Sequence, residues 1–188
     1  MRRSHIELEN AAENLLSSLG VKNGFKPDVK RMAGSLGLKV TQDLTPSNMA
    51  LSRFLLNGDD ADYLAGRQDK VIVINMTRDD KDIRFALAYQ IANYMLHGEE
   101  RERFFSQLTS LQVSNPDDDA IRLANAILLN EALFIENFKK ALKGVPNDFA
   151  VRRNLSDKFH VPLYSVEQRI NELELEYKFK SGKGKKKS

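Results

Sequence analysis

The sequence predicts an α+β fold: a small, mostly antiparallel sheet packed by a majority of helices. Three observations carry this. Val71 to Asn75 is rich in β-branched residues and reads as a strand. From Asp82 onward, apolar residues recur at helical spacing almost to the C-terminus. Between the first elements and that strand, Thr45 to Asp62 carries Pro46, Asn48, Asn57 and Gly58, so turns must separate short strands there.

Taken in order, Ile6, Leu15, Leu16 and Leu19 share one side of a first helix that Gly20 ends, and Val29, Met32, Ala33 and Leu36 repeat the i, i+3, i+4, i+7 pattern in a second. Gly37 precedes a strand at Leu38 to Thr41. Short apolar runs at Arg53 to Leu56 and Tyr63 to Ala65 complete a sheet of about three or four strands with Val71 to Asn75. Helices are expected at Asp82 to Leu96, Glu100 to Gln112, Pro116 to Leu142, Asp148 to Phe159 and Leu163 to Tyr177. Asn115 is the expected cap of the third of these, with Pro116 and three aspartates in its first turn.

With 188 residues and 41% hydrophobic content, the chain can bury a core in one unit. We divide it into a main domain over 1–147, a helical subdomain resembling a helix-turn-helix over 148–177 packed on it, and a disordered basic tail over 178–188. The net charge is +3, and Lys183, Lys185, Lys186 and Lys187 alone contribute four positive charges. The remainder is near neutral, which argues against a protein coated in basic charge for nucleic acid. No cysteine is present, so a disulfide framework and a thiolate zinc site are excluded. Met1 to Asn14 lacks an apolar signal core, and no stretch approaches the ~18 apolar residues of a membrane span. A cytoplasmic protein away from membranes is the expectation, and the glycosylation patterns at Asn75 and Asn154 are then without meaning.

The segment Arg84-Phe85-Ala86-Leu87-Ala88-Tyr89-Gln90-Ile91-Ala92-Asn93-Tyr94-Met95-Leu96-His97, after a strand and a short charged turn, resembles the core helix of the ImmA/IrrE-type metallopeptidase family, approximately R-F-T-L-A-H-E-L-G-H-x-x-L-H. Arg84, Phe85, Leu87, Ala88, Leu96 and His97 match directly. Asp119 to Asn130 is similar to the family's later segment E-A-N-x-F-A-x-x-L-L-M-P, which places Asp119 at the third metal ligand. Weaker likeness extends over most of residues 26–175.

The resemblance implies a zincin-like fold, with 1–147 as the metallopeptidase-like domain. The chemistry of that family needs two histidines four apart on a helix to hold zinc, and a glutamate beside the first as general base. Here those positions are Tyr89, Gln90 and Asn93. Glutamine cannot take up a proton at neutral pH, and neither tyrosine nor asparagine supplies the lone pair of imidazole. A catalytic set is therefore absent, and neither zinc nor any other cofactor is expected. Asp119 with poor oxygen donors would hold a hard cation loosely at best.

Tyr89, Gln90, Asn93 and Asp119 are then vestigial positions and candidates for a partner-binding groove. Members resembling this family act in bacteria, phages and mobile elements by cutting helix-turn-helix repressors. A member without the catalytic set is expected to bind such a repressor by contact, as an antirepressor-like regulator. Each of these residues also has a plainer role: Tyr89 as a half-buried aromatic, Asn93 as a solvated or hydrogen-bonded amide, Asp119 as a complement to the helix dipole. His97 before Gly98 reads as a helix-end residue facing free carbonyls.

Two alternatives stand beside this reading. One is an active metal-dependent peptidase using His97 with Glu99, Glu100 or Asp119. The other is a DNA-binding regulator that uses the C-terminal helix pair and the lysine tail, reading a groove through Gln168, Arg169 and Asn171, although Glu167, Glu172, Glu174 and Glu176 would repel phosphates.

Overall fold

A computed structural model of the chain describes residues 3–21, 26–43, 52–57, 69–107, 117–144 and 147–180. The first helix, α1 (His5–Ser18), is started by a reciprocal cap: Ser4 N–H donates to Glu7 Oε2 at 2.7 Å, and Glu7 N–H donates to Ser4 Oγ at 3.3 Å. Its core face is Leu8, Ala12 and Leu15, while Ile6, expected on that face, is 69% exposed. Leu8, Ala12 and Leu15 stand at i, i+4 and i+7 on one face, whereas Ile6, two residues before Leu8, falls about 200° round the helix on the opposite side. Asp28 caps α2 (Val29–Ser35), accepting from Lys30 and Arg31 N–H groups, and Val29, Met32 and Ala33 are buried. Gly37, at φ 73°, then takes the left-handed turn into the sheet.

The sheet has three strands among the described residues, β1 (Leu38–Asp43), β2 (Ser52–Asn57) and β3 (Asp69–Asn75), in the order β1-β3-β2. β2 runs antiparallel to β3, with Phe54 opposite Ile72, but β1 runs parallel to β3, with Val40 opposite Ile72. The sheet is therefore mixed rather than mostly antiparallel. Side-chain alternation reports which face is buried, whereas strand direction is set by the connections, so the pattern could not supply it. β3 is central and buries Val71, Ile72 and Ile74. The short run at Tyr63 to Ala65 lies outside the described residues.

Asn75 Oδ1 accepts from both the N–H and the hydroxyl of Thr77, turning the chain out of β3, and Asp79 Oδ1 accepts from Lys81 N–H at the entry to α3 (Asp80–Gln107). α3 is interrupted at Gly98 (φ 50°, ψ −146°), where two helices were expected. Its buried face of Phe85, Leu87, Ala88, Ile91 and Ala92 lies against the sheet, α2 and α4 (Asp118–Leu128).

The single helix expected from Pro116 to Leu142 is two. α4 ends at Leu129 (φ −126°, ψ 65°), and α5 (Glu131–Gly144) begins where Asn130 Oδ1 accepts from Leu133 N–H. An asparagine able to cap the backbone wins over the continuous apolar spacing. The cap of α4 is Asp117 rather than Asn115, which lies outside the described residues. α6 (Asp148–Phe159) is capped by Asn147, whose Oδ1 accepts from Ala150 N–H, and His160 in the left-handed region ends it. The segment Leu163 to Tyr177 divides into α7 (Leu163–Glu172) and α8 (Leu175–Lys180) at Glu174 (φ 53°). Residues 178–180 are helical rather than part of a disordered tail, because Phe179 packs on Phe138 with ring centres 6.4 Å apart.

Leu8, Ile72, Ile91, Leu123, Phe134, Phe159 and Ile170 belong to one hydrophobic core that α1 and the C-terminal helices share with the sheet. Among the described residues no helix is long and apolar enough to cross a membrane.

Candidate functional site

The four positions singled out by sequence lie where α3 passes the N-terminus of α4. Tyr89 is half-buried, and its hydroxyl accepts the Asp117 N–H at 3.2 Å. Asp117 in turn accepts from Asp119 and Ala120 N–H groups through Oδ1, capping α4, while its Oδ2 lies 2.6 Å from His97 Nε2. His97 thus faces a carboxylate and not the free carbonyls expected of it. One helix-cap residue gathers Tyr89 and His97 of α3 around the start of α4.

Gln90 and Asn93 are buried, at 4% and 6% exposure. Tyr89 and Asp119 remain at the rim. The Asp119 carboxylate is engaged on both oxygens: Oδ2 accepts the Arg3 N–H at 2.8 Å, and Oδ1 accepts from Arg122 Nη1 at 3.2 Å. Arg122 also donates to the Arg3 carbonyl at 3.0 Å and, through Nε, to Glu172 Oε1 at 3.1 Å. Arg84, the first residue of the matched motif, donates to the Pro27 carbonyl at 2.9 Å, tying α3 to the entry of α2.

The donor set at these positions does not fit zinc. Neither Tyr89, Gln90 nor Asn93 offers an imidazole nitrogen, and the Asp119 oxygens already serve Arg3 and Arg122. Of the alternative ligand set built on His97, His97 is taken by Asp117, and the side chains of Glu99 and Glu100 lie outside the described residues.

A second polar cluster, which the sequence reading did not anticipate, joins α1 to α5 and α7. His5 lies with Nε2 at 3.0 Å from Glu131 Oε2 and Nδ1 at 3.3 Å from Glu172 Oε1. Arg169, fully buried, places Nη1 at 2.7 Å from Glu9 Oε1 and 3.0 Å from Glu172 Oε2, and its Nε donates to the Leu129 carbonyl at 3.2 Å. Among the described residues, His5, Glu9 and Glu131 are the group whose possible ligand atoms converge, all within 4.8 Å of one another. With Arg169 against Glu9 and Arg122 and Arg169 against Glu172, two of the three carboxylates here face guanidinium and Glu131 faces His5, and the cluster reads as an ion-pair node. Burial alone would raise the Glu172 carboxyl, but Arg169, His5 and Arg122 outweigh it and hold Glu172 below the usual glutamate range. A periodic pattern cannot signal such a node, because its members come from four helices far apart in sequence.

The burial of Arg169 also bears on groove reading by α7: of the three side chains expected to reach bases, Arg169 is enclosed, while Gln168 is exposed and accepts from Asn125 Nδ2 at 3.4 Å.

The chain matches the family model described as IrrE N-terminal-like domain over residues 35–171, more than half its length. No curated protein matches it. Seven solved chains do. One of them, a transcriptional regulator of Mycobacterium tuberculosis, superposes with a TM-score of 0.52 at 18% identity, over 87% of this chain and 46% of that one. This chain thus spans about half the length of that structure, and at this identity the likeness concerns the fold. On the family match, the chain belongs to the ImmA/IrrE-type metallopeptidases.

Proposed function

We propose that this protein is a non-catalytic regulator on a zincin-like metallopeptidase scaffold, acting in the cytoplasm by binding a partner protein. The partner class is a helix-turn-helix transcriptional repressor of a phage or mobile element, as for an antirepressor. The observation that carries the proposal is the pairing of a retained helix framework with replaced chemistry: Arg84, Phe85, Leu87 and Ala88 keep their places in α3, while Tyr89, Gln90 and Asn93 cannot bind zinc or activate water. The groove residues of this reading are Tyr89, Gln90, Asn93 and Asp119, of which Tyr89 and Asp119 are partly exposed and Gln90 and Asn93 buried.

The test is zinc content after incubation with zinc and gel filtration, for the native chain and a Tyr89→His, Gln90→Glu, Asn93→His variant. Both carry His5→Gln, so that the His5 cluster does not contribute. The variant is expected to retain one zinc per chain and the native groove none. Tight zinc retention by the native groove would overturn the non-catalytic reading, and a pull-down from the native host that recovers no specific protein would overturn the partner reading.

A further inference from the structure

Arg3, just ahead of α1, is held as a ligand would be. Its N–H donates to Asp119 Oδ2 at 2.8 Å, its carbonyl accepts from Arg122 Nη1 at 3.0 Å, and its own Nη2 donates to the Leu96 carbonyl at 3.0 Å. Asp119 and Arg122, one turn apart on α4 and 3.2 Å from each other, therefore satisfy both main-chain polar groups of a single residue. The Leu96 carbonyl is available because α3 breaks at Gly98, which takes the following N–H groups away from the preceding turn.

Each arm of this arrangement reads something different. A carboxylate on an N–H and a guanidinium on a C=O recognise extended main chain whatever its side chain. The carbonyl at the end of a helix segment, where the dipole is negative, favours a cationic side chain. Arg3 meets all three conditions while remaining exposed, so it is held by polar contacts and not by burial.

We infer that Asp119 and Arg122 form a peptide clamp for an extended, arginine-bearing segment of a partner protein, and that Arg3 of this chain is its cis occupant. The inference rests on the partner-binding reading and specifies the chemistry that Asp119 contributes to it. A segment in cis competes at an effective concentration on the order of millimolar, so a partner must displace it.

The test is fluorescence anisotropy with a labelled peptide of this chain's own first six residues, Met-Arg-Arg-Ser-His-Ile, added to the full chain and to Arg3→Pro. The substitution removes the N–H and the guanidinium but leaves Ser4 to cap α1. The peptide is expected to bind Arg3→Pro at least about tenfold more tightly than the native chain. That binding is expected to vanish when Asp119→Asn or Arg122→Gln is added, with circular dichroism confirming native helicity, and to drop when glutamine replaces both peptide arginines. Equal affinity for the native chain and Arg3→Pro, or binding that survives both clamp substitutions, would overturn the inference. So would indifference to the peptide arginines. The zinc experiment does not involve Arg3, so failure of the clamp and failure of the non-catalytic reading are separately visible.

Discussion

His97 Nε2 and Asp117 Oδ2 lie 2.6 Å apart, which ties the last turn before the α3 kink to the N-cap of α4. Asp117 makes three contacts at once: to its own helix start through Oδ1, and to α3 at His97 through Oδ2 and at Tyr89 through its N–H. Hydrogen bonds through Asp117 thus join α3 to α4.

Asp117→Ala should therefore lower stability by about 1–2 kcal/mol, the cost of a lost cap with an imidazole left unpaired. Asp117→Asn, which keeps a capping oxygen, should cost less than half as much. Urea denaturation midpoints of the two variants check the order, and an equal loss would show that the cap is not what matters.

Arg169→Met should cost roughly 3–5 kcal/mol, because it leaves Glu9 and Glu172 without their buried counter-charge and the Leu129 carbonyl without a donor. Replacing Glu9, Glu172 and Arg169 together by apolar residues should recover much of that loss. Thermal or chemical denaturation of the single and triple variants measures the difference.

The held-down Glu172 carboxyl predicts a pH dependence with a definite sign. A folded pKa below the unfolded one means that the ionised form is favoured by folding. The contribution is complete above the ordinary glutamate value of ~4.3 and is lost as pH falls below it toward the folded pKa. Stability measured from pH 7 down to 3 should fall more steeply in the native chain than in Glu172→Gln. A parallel fall in both would remove Glu172 from the account.

Phe134→Ala should destabilise by about 3–5 kcal/mol, since Phe134 is fully buried and packs on Phe159 with ring centres 5.6 Å apart, joining α5 to α6. Phe149→Ala, at a residue 61% exposed, should change stability by less than about 0.5 kcal/mol. The ratio of the two losses in urea denaturation checks the core assignment.

What the sequence determined by itself was the local chemistry. The β-branched run fixed β3, the apolar face from Phe85 to Ala92 fixed α3, and Gly20, Gly37 and Gly98 marked breaks where positive φ was needed. The residue types at Tyr89, Gln90 and Asn93 were legible too, because side chains at helical spacing can be read one turn at a time. Tertiary structure decided everything that depends on residues distant in the chain. Strand direction in β1, the burial of Arg169, the choice of Asp117 by His97 and the seating of Arg3 on Asp119, 116 positions away, follow from how helices are brought together. Local propensity carries no record of such pairs, since their energies arise only when packing has placed both partners in the same small volume.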